Sequence, residues 1–299
     1  MKKSYISSRN YIIMFAILIL LIVIGSFFDL TLAQGVFSIN NSISVFFASF
    51  GTFPGSVLFG VMGMMIIKGF KKKSKWLLPL GIILFVFLQV FGIIVTYEMT
   101  NEYWFNVPSA VKFIICTVLI IGAEVPFISI IKNADEKKFT KYFFFLFIVA
   151  IFGLFFPSAI KDIWARPRYR FLVGVDSSGL EIGIKTGLEN FRNWFNIDPS
   201  IRDSFVALGV DDGEFTAFPS GHVAQTAIVL ALATIGYINP KYEEKANIIL
   251  WISFAYCLFL GFTRIMMGAH FLSDVAFGLL IDVIFIFLME TIFRIKKNK

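Results

Sequence analysis

The chain has 299 residues, 58% of them hydrophobic and only 16% charged, with a mean hydropathy of +0.80. That balance excludes an ordinary soluble domain, which is about 45–50% apolar and about 25% charged. The net charge is +7, but the Lys and Arg residues gather in short clusters beside apolar runs, which points to a membrane surface and excludes a nucleic-acid stripe.

In chain order, eight apolar runs read as spans of an all-α polytopic membrane helical bundle: residues 11–33, 43–69, 76–98, 109–132, 142–160, 219–238, 247–264 and 270–293. Runs of roughly 18–25 almost uncharged residues are long enough to cross a hydrocarbon core about 30 Å thick as helices. The first run follows Met1-Lys2-Lys3 and continues through Phe27 and Phe28 without a small-x-small cleavage site. It reads as a retained span rather than a signal peptide. With Met1 cytoplasmic, the clusters Lys2/Lys3, Lys71 to Lys75, Lys137/Lys138/Lys141, Lys241/Lys245 and Arg294 to Lys299 all fall on the cytoplasmic side, with both termini. The connections around 34–42, 99–108, 161–218 and 265–269 then face outward, as expected of a multi-pass protein of the cell membrane.

The chain divides into N-terminal transmembrane helices, 1–141, and a C-terminal core, 142–299, with the outward-facing loop 161–218. That loop is the only long polar segment. It holds Gly-Val-Asp-Ser-Ser-Gly at 174–179 and a helical-looking stretch, Leu188–Phe195. A loop of this length suits either a functional lid or a plain insertion. Cys116 and Cys257 both lie in apolar runs, so no disulfide or cysteine-based metal site is expected. Glu124 and Asp282 are ionisable residues inside spans, where function or a bond to a neighbouring helix are the competing explanations. The Phe/Ile/Lys-rich composition suggests an AT-rich bacterial genome.

Both histidines of the chain fall in three outward segments. These are Lys161 to Arg168, Pro219-Ser220-Gly221-His222, and Thr263-Arg264 followed by His270 and Asp274. His270 and Asp274 are four apart, which puts both on one helical face, where the carboxylate would accept from imidazole Nδ1 and free Nε2 as nucleophile or base. An ordinary capping contact explains the pair equally well. Ser220 and Gly221 open a helix, where exposed N–H groups bind anions and Gly permits close approach. His222 beside them would serve as a proton donor. The plainer reading makes Ser220 an N-cap. Lys161, Arg168 and Arg264 suit the charge that spreads over phosphoryl oxygens in transfer, although each alone also fits interfacial snorkelling.

Taken together, the segments resemble the type 2 phosphatidic acid phosphatase family, whose signatures are Lys-x6-Arg-Pro, Pro-Ser-Gly-His and Ser-Arg-x5-His-x3-Asp. Lys161 and Arg168 match the first, residues 219–222 the second in full, and Arg264, His270 and Asp274 the third. Tyr169 replaces the Pro after Arg168, with Arg166-Pro167 just before it, and Thr263 replaces Ser. The resemblance covers mainly residues 142–293. It implies a six-helix core, here with two further spans before the first motif. It implies His270 as the nucleophile that becomes phosphohistidine, Asp274 as its orienting group and His222 as the acid for the leaving group. Lys161, Arg168, Ser220, Gly221 and Arg264 would hold the phosphate, with no metal and no cofactor. The expected substrate is an amphiphilic lipid phosphate at headgroup level: phosphatidic acid, phosphatidylglycerol phosphate, undecaprenyl diphosphate or a lipid A phosphate. A phosphotransferase using the same site with another acceptor is the alternative. A transporter or scramblase with a vestigial site is disfavoured by the intact motif set.

Overall fold

The computed structural model describes residues 4–104, 107–184 and 186–297. Lys2, Lys3 and Lys299 of the basic clusters, and residues 105–106 of the connection expected at 99–108, lie outside the described residues. The helices in chain order are α1 (Ser8–Val36), α2 (Ser42–Phe50), α3 (Phe53–Lys73), α4 (Leu78–Tyr103), α5 (Ser109–Lys132) and α6 (Phe139–Trp164). They continue with α7 (Tyr169–Leu172), α8 (Pro199–Val206), α9 (Gly221–Ala227), α10 (Ala246–Met266) and α11 (Leu272–Ile292). No strand occurs among the described residues, so the fold is an all-α bundle.

Among the described residues, seven helical segments are long and apolar enough to cross a membrane. The remaining expected span, 219–238, is a shorter apolar stretch, Gly221–Tyr237, built of α9 and a ten-residue 3₁₀ helix, Ile228–Tyr237. A 3₁₀ helix rises about 2.0 Å per residue against about 1.5 Å for an α-helix, so this stretch still reaches about 30 Å. The span expected at 43–69 breaks into α2 and α3 at Gly51-Thr52. Outward-pointing Ile12, Leu20, Phe27, Ile83, Phe87 and Ile114 are exposed, as lipid-facing side chains are.

Local chemistry sets the helix ends. Ser7 Oγ accepts from Asn10 N at the start of α1, and Asn41 Oδ1 accepts from Ile43 N and Ser44 N at the start of α2. Lys71, Lys72 and Lys73 sit on the negative C-terminal end of α3. At the same end of the bundle Glu136 receives Lys68 at 3.3 Å and Lys72 at 2.8 Å. Helix α1 packs along α11, α3 packs along α4 and α5, and α9 is enclosed by α6, α10 and α11. Small residues permit these approaches: a Cβ on Gly278 of α11 would meet the Ser220 carbonyl at 3.0 Å.

The segment 161–218 is a packed cap. Tyr169, Phe171, Leu172, Ile201, Val210 and Phe215 form a small core with Phe271 and Ala33. The stretch expected to be helical, Leu188–Phe195, holds one 3₁₀ turn, Leu188–Asn190, and the longer helix is α8. Trp194 leaves the turn to stack on Phe218 at 6.0 Å and to bond Ser26 of α1, so tertiary contacts hold this stretch outside helical geometry.

Candidate active site

The three motifs meet where α6, α9 and α11 begin or end. Helix α6 stops at Ala165, which takes the left-handed conformation with φ 45 and donates its N–H to the Lys161 carbonyl at 2.8 Å. The chain then turns Arg166, Arg168 and Arg170 back into the protein, where all three are buried. Lys161 Nζ lies 3.4 Å from where a Cβ on Gly221 would stand, which is van der Waals contact and places the ammonium beside the second motif. Ser220 N donates to the Asp274 carbonyl at 3.0 Å, joining the second motif to the third. Ala217 joins the first to the third: its N–H donates to the Arg166 carbonyl at 3.1 Å, and its carbonyl accepts from His270 Nδ1 at 2.5 Å. Arg170 N also donates to the Gly268 carbonyl at 3.0 Å. These contacts join Lys161, Ser220, Gly221, His270 and Asp274, and Arg168, Arg264 and His222 lie within electrostatic reach of Lys161, so the eight residues expected from the sequence form one cluster.

One expected contact is replaced. Asp274 was expected to accept from His270, but Asp274 Oδ2 accepts from Phe271 N at 2.7 Å and Oδ1 binds Arg166. The reason is local. Phe271 is the extended N-cap of α11, so His270 lies before the helix and is not in register with Asp274. A carboxylate three residues past the N-cap turns back to the cap N–H instead. The Ala217 carbonyl takes over the orientation of His270. Because a carbonyl only accepts, Nδ1 carries the hydrogen and Nε2 keeps its lone pair. Burial, reinforced by the charges of Arg264, Lys161 and Arg168, holds the His270 imidazole well below its ordinary pKa.

His222 is bound differently. Its Nε2 is 3.2 Å from the Ala48 carbonyl, in the last turn of α2 before the break at Gly51-Thr52. Carbonyls in a last helical turn have no partner in their own helix, so the break supplies this acceptor. Ser220 begins α9 without a side-chain cap bond, which sets aside the plain N-cap reading.

Sequence reasoning missed several members of the cluster. Arg170 forms a fork with Glu214, with Nη2 to Oε1 at 2.8 Å and Nε to Oε2 at 2.9 Å. Tyr103 accepts from Arg264 Nη2 through its hydroxyl and donates to Glu102 Oε1 at 2.7 Å. Glu102 in turn faces Arg168 at 3.5 Å and Arg170 at 3.7 Å. Asp29 of α1 binds Arg166 at 2.9 Å. Asp29 did carry a signal, as the only carboxylate in the first apolar run. Glu102 carried none that separates it from Glu98 at the same span end. Glu124 pairs with Gln89 Nε2 at 3.0 Å, and Asp282 lies beside Gly153; neither bonds one of the eight residues.

Arg264 Nε and Nη1, Arg168 Nε, Arg170 Nη1 and Ser220 Oγ are buried without a hydrogen-bond partner among the described residues. Each such donor costs about 1–3 kcal/mol. Several of them around one histidine are matched by an anion with several oxygens.

The family model of the PAP2 superfamily matches residues 141–297. The chain belongs to that superfamily. The resemblance to type 2 phosphatidic acid phosphatases drawn from the three motifs therefore stands. No curated protein and no solved structure matches the chain. Membership supports a phosphatase-type activity, since PAP2 superfamily members are phosphatases, and the apolar helices make this one a multi-pass membrane protein.

Proposed function

We propose that the protein is a membrane lipid phosphatase that hydrolyses a phosphomonoester or diphosphate of an amphiphilic lipid at the outer face of the membrane, through a phosphohistidine. The observation that carries this reading is the set of unpartnered donors on Arg264, Arg168 and Ser220 beside a buried, neutral His270. Lys161, Arg168, Ser220, Gly221 and Arg264 hold the phosphoryl oxygens, where fixed cations stabilise the charge of transfer. His270 Nε2 attacks phosphorus, the bond to the leaving oxygen breaks, and His222, entering the step as the imidazolium with a second hydrogen on Nδ1, passes that proton to the leaving oxygen. Water then attacks the phosphohistidine with His222 as base, releasing inorganic phosphate and restoring His270. The Ala217 carbonyl stabilises the positive imidazole of the intermediate through Nδ1–H. Residues 142–299 act as the phosphatase core, and the substrate is a lipid phosphate of the bilayer such as phosphatidic acid.

The test is phosphate release by the purified protein in detergent across a panel of lipid phosphates. Release is expected, unaffected by EDTA and blocked by vanadate. His270→Ala removes the nucleophile and is expected to lower turnover by about 10⁶-fold, as nucleophile loss does elsewhere. A variant keeping more than about a tenth of the wild-type rate contradicts the role of His270.

A further inference from the structure

Helix α1 lies outside the segment that the PAP2 superfamily matches, yet it places a buried carboxylate against the third motif. Asp29 is 2% exposed, and Arg166, which it binds, is also 2% exposed. Asp29 Oδ1 accepts from Ser273 N at 3.0 Å, and Oδ2 accepts from Ser273 Oγ and from Arg166 Nη2. A Cβ on Gly25, one turn before Asp29, would come within 2.8 Å of Ser273 N, so α1 is seated directly on the start of α11.

Arg166 is the branching point of this contact. Its Nη1 binds Asp274 Oδ1 and donates to Ser273 Oγ at 2.9 Å, and its Nε donates to the Arg192 carbonyl at 2.8 Å. Its guanidinium lies over the Phe271 ring at 4.3 Å. Asp274, held by Arg166, holds Phe271 N, the residue next to His270. The Arg166 carbonyl holds Ala217 N, and Ala217 in turn holds the His270 ring. Both restraints on His270, through backbone and through ring, therefore pass through Arg166.

We propose that Arg166, braced by Asp29 of the first helix, is the positioning residue that aims His270, so that α1 is part of the working site. This rests on the reading of His270 as nucleophile. A planar guanidinium with two carboxylates, a hydroxyl and a carbonyl around it has one orientation, and neutralising Asp29 removes one side of that frame. The phosphate-holding groups, Lys161, Arg168, Ser220 and Arg264, make no hydrogen bond or ion pair with Asp29. The defect is therefore one of aim and not of substrate affinity.

The experiment compares wild type, Asp29→Asn, Ser273→Ala and His270→Ala, purified in detergent, by steady-state phosphate release from phosphatidic acid and by thermal melting. Asp29→Asn is expected to lower kcat by about 10²-fold, with KM held within about twofold, since misplacing a reacting group costs that much. Ser273→Ala keeps both charges and is expected to lower kcat severalfold, again at constant KM. It serves as the reporter if Asp29→Asn does not fold. A lower melting temperature with wild-type kcat, or a loss expressed in KM, assigns Asp29 a structural role and overturns the proposal. A wild type no more active than His270→Ala on phosphatidic acid and on every other lipid phosphate of the panel overturns the lipid-phosphatase reading itself, a result distinct from an active wild type with an equally active Asp29→Asn.

Discussion

His222 and His270 are tied to carbonyls through opposite ring nitrogens, Nε2 to Ala48 and Nδ1 to Ala217. The difference leaves different atoms free, Nδ1 of His222 and Nε2 of His270. His222→Ala is expected to slow hydrolysis of a lipid phosphate severely but that of para-nitrophenyl phosphate much less, because a good leaving group needs little protonation. Equal losses on the two substrates contradict its role as acid. The depressed pKa of His270 also has a thermodynamic sign. In the unfolded chain a histidine titrates near 6.5, whereas His270 in the folded protein refuses the proton until well below that. Below about pH 6.5 the unfolded state thus binds more protons, and stability falls as the pH falls. Detergent melts between pH 7 and pH 5 are expected to show a smaller loss for His270→Gln than for wild type. A loss of the same size in both assigns the acid sensitivity to other groups.

At the level of elements, α4 supplies a carboxylate, Glu102, that faces Arg168 of the first motif and Arg170 beside it. Glu102 is about one-third exposed, and its ion pairs at 3.5 and 3.7 Å are loose beside the fork from Glu214. Glu102→Gln removes one negative charge from an anion site and is expected to lower the vanadate inhibition constant severalfold. A raised constant means that Glu102 is needed to orient Arg168. Long apolar runs and the three motifs were legible because hydrophobic length and fixed spacing are local properties of sequence. The break of α2 from α3 was not legible, because Gly51 and Thr52 sit inside an apolar run and their effect is to present the Ala48 carbonyl to His222, a residue 174 positions away. The packing of the cap was not legible for the same reason. Phe171, Phe205 and Phe215 are scattered along a polar loop, and their mutual packing comes from tertiary structure. The replacement of the His270–Asp274 contact turned on a single residue of helix boundary, the least determinate feature of a sequence reading.

For the whole molecule, the basic clusters and the site occupy opposite ends of the bundle. Lys68 and Lys72 meet Glu136 at one end of α3, while the other end leads through Thr52 to α2 and the Ala48 carbonyl that holds His222. On the proposed reading, the positive-inside bias puts the lysine end in the cytoplasm and the site at the outer face. The opposite orientation would move the clusters at 68–75, 137–141 and 241–245 to the outer side. A single Cys reports the choice, in a background with Cys116 and Cys257 replaced, both of which are buried. Ala207 follows α8 in the cap and is exposed, as is Asn133 at the end of α5. Ala207→Cys is expected to react with an impermeant maleimide in intact cells or spheroplasts, and Asn133→Cys only after lysis. The reverse pattern would place the arginine cluster in the cytoplasm and give it inner-leaflet lipids and soluble phosphates as substrates. The His270 chemistry would be unchanged, because it depends on the contacts around Ala217, Arg166 and Asp274 and not on the side of the membrane they face.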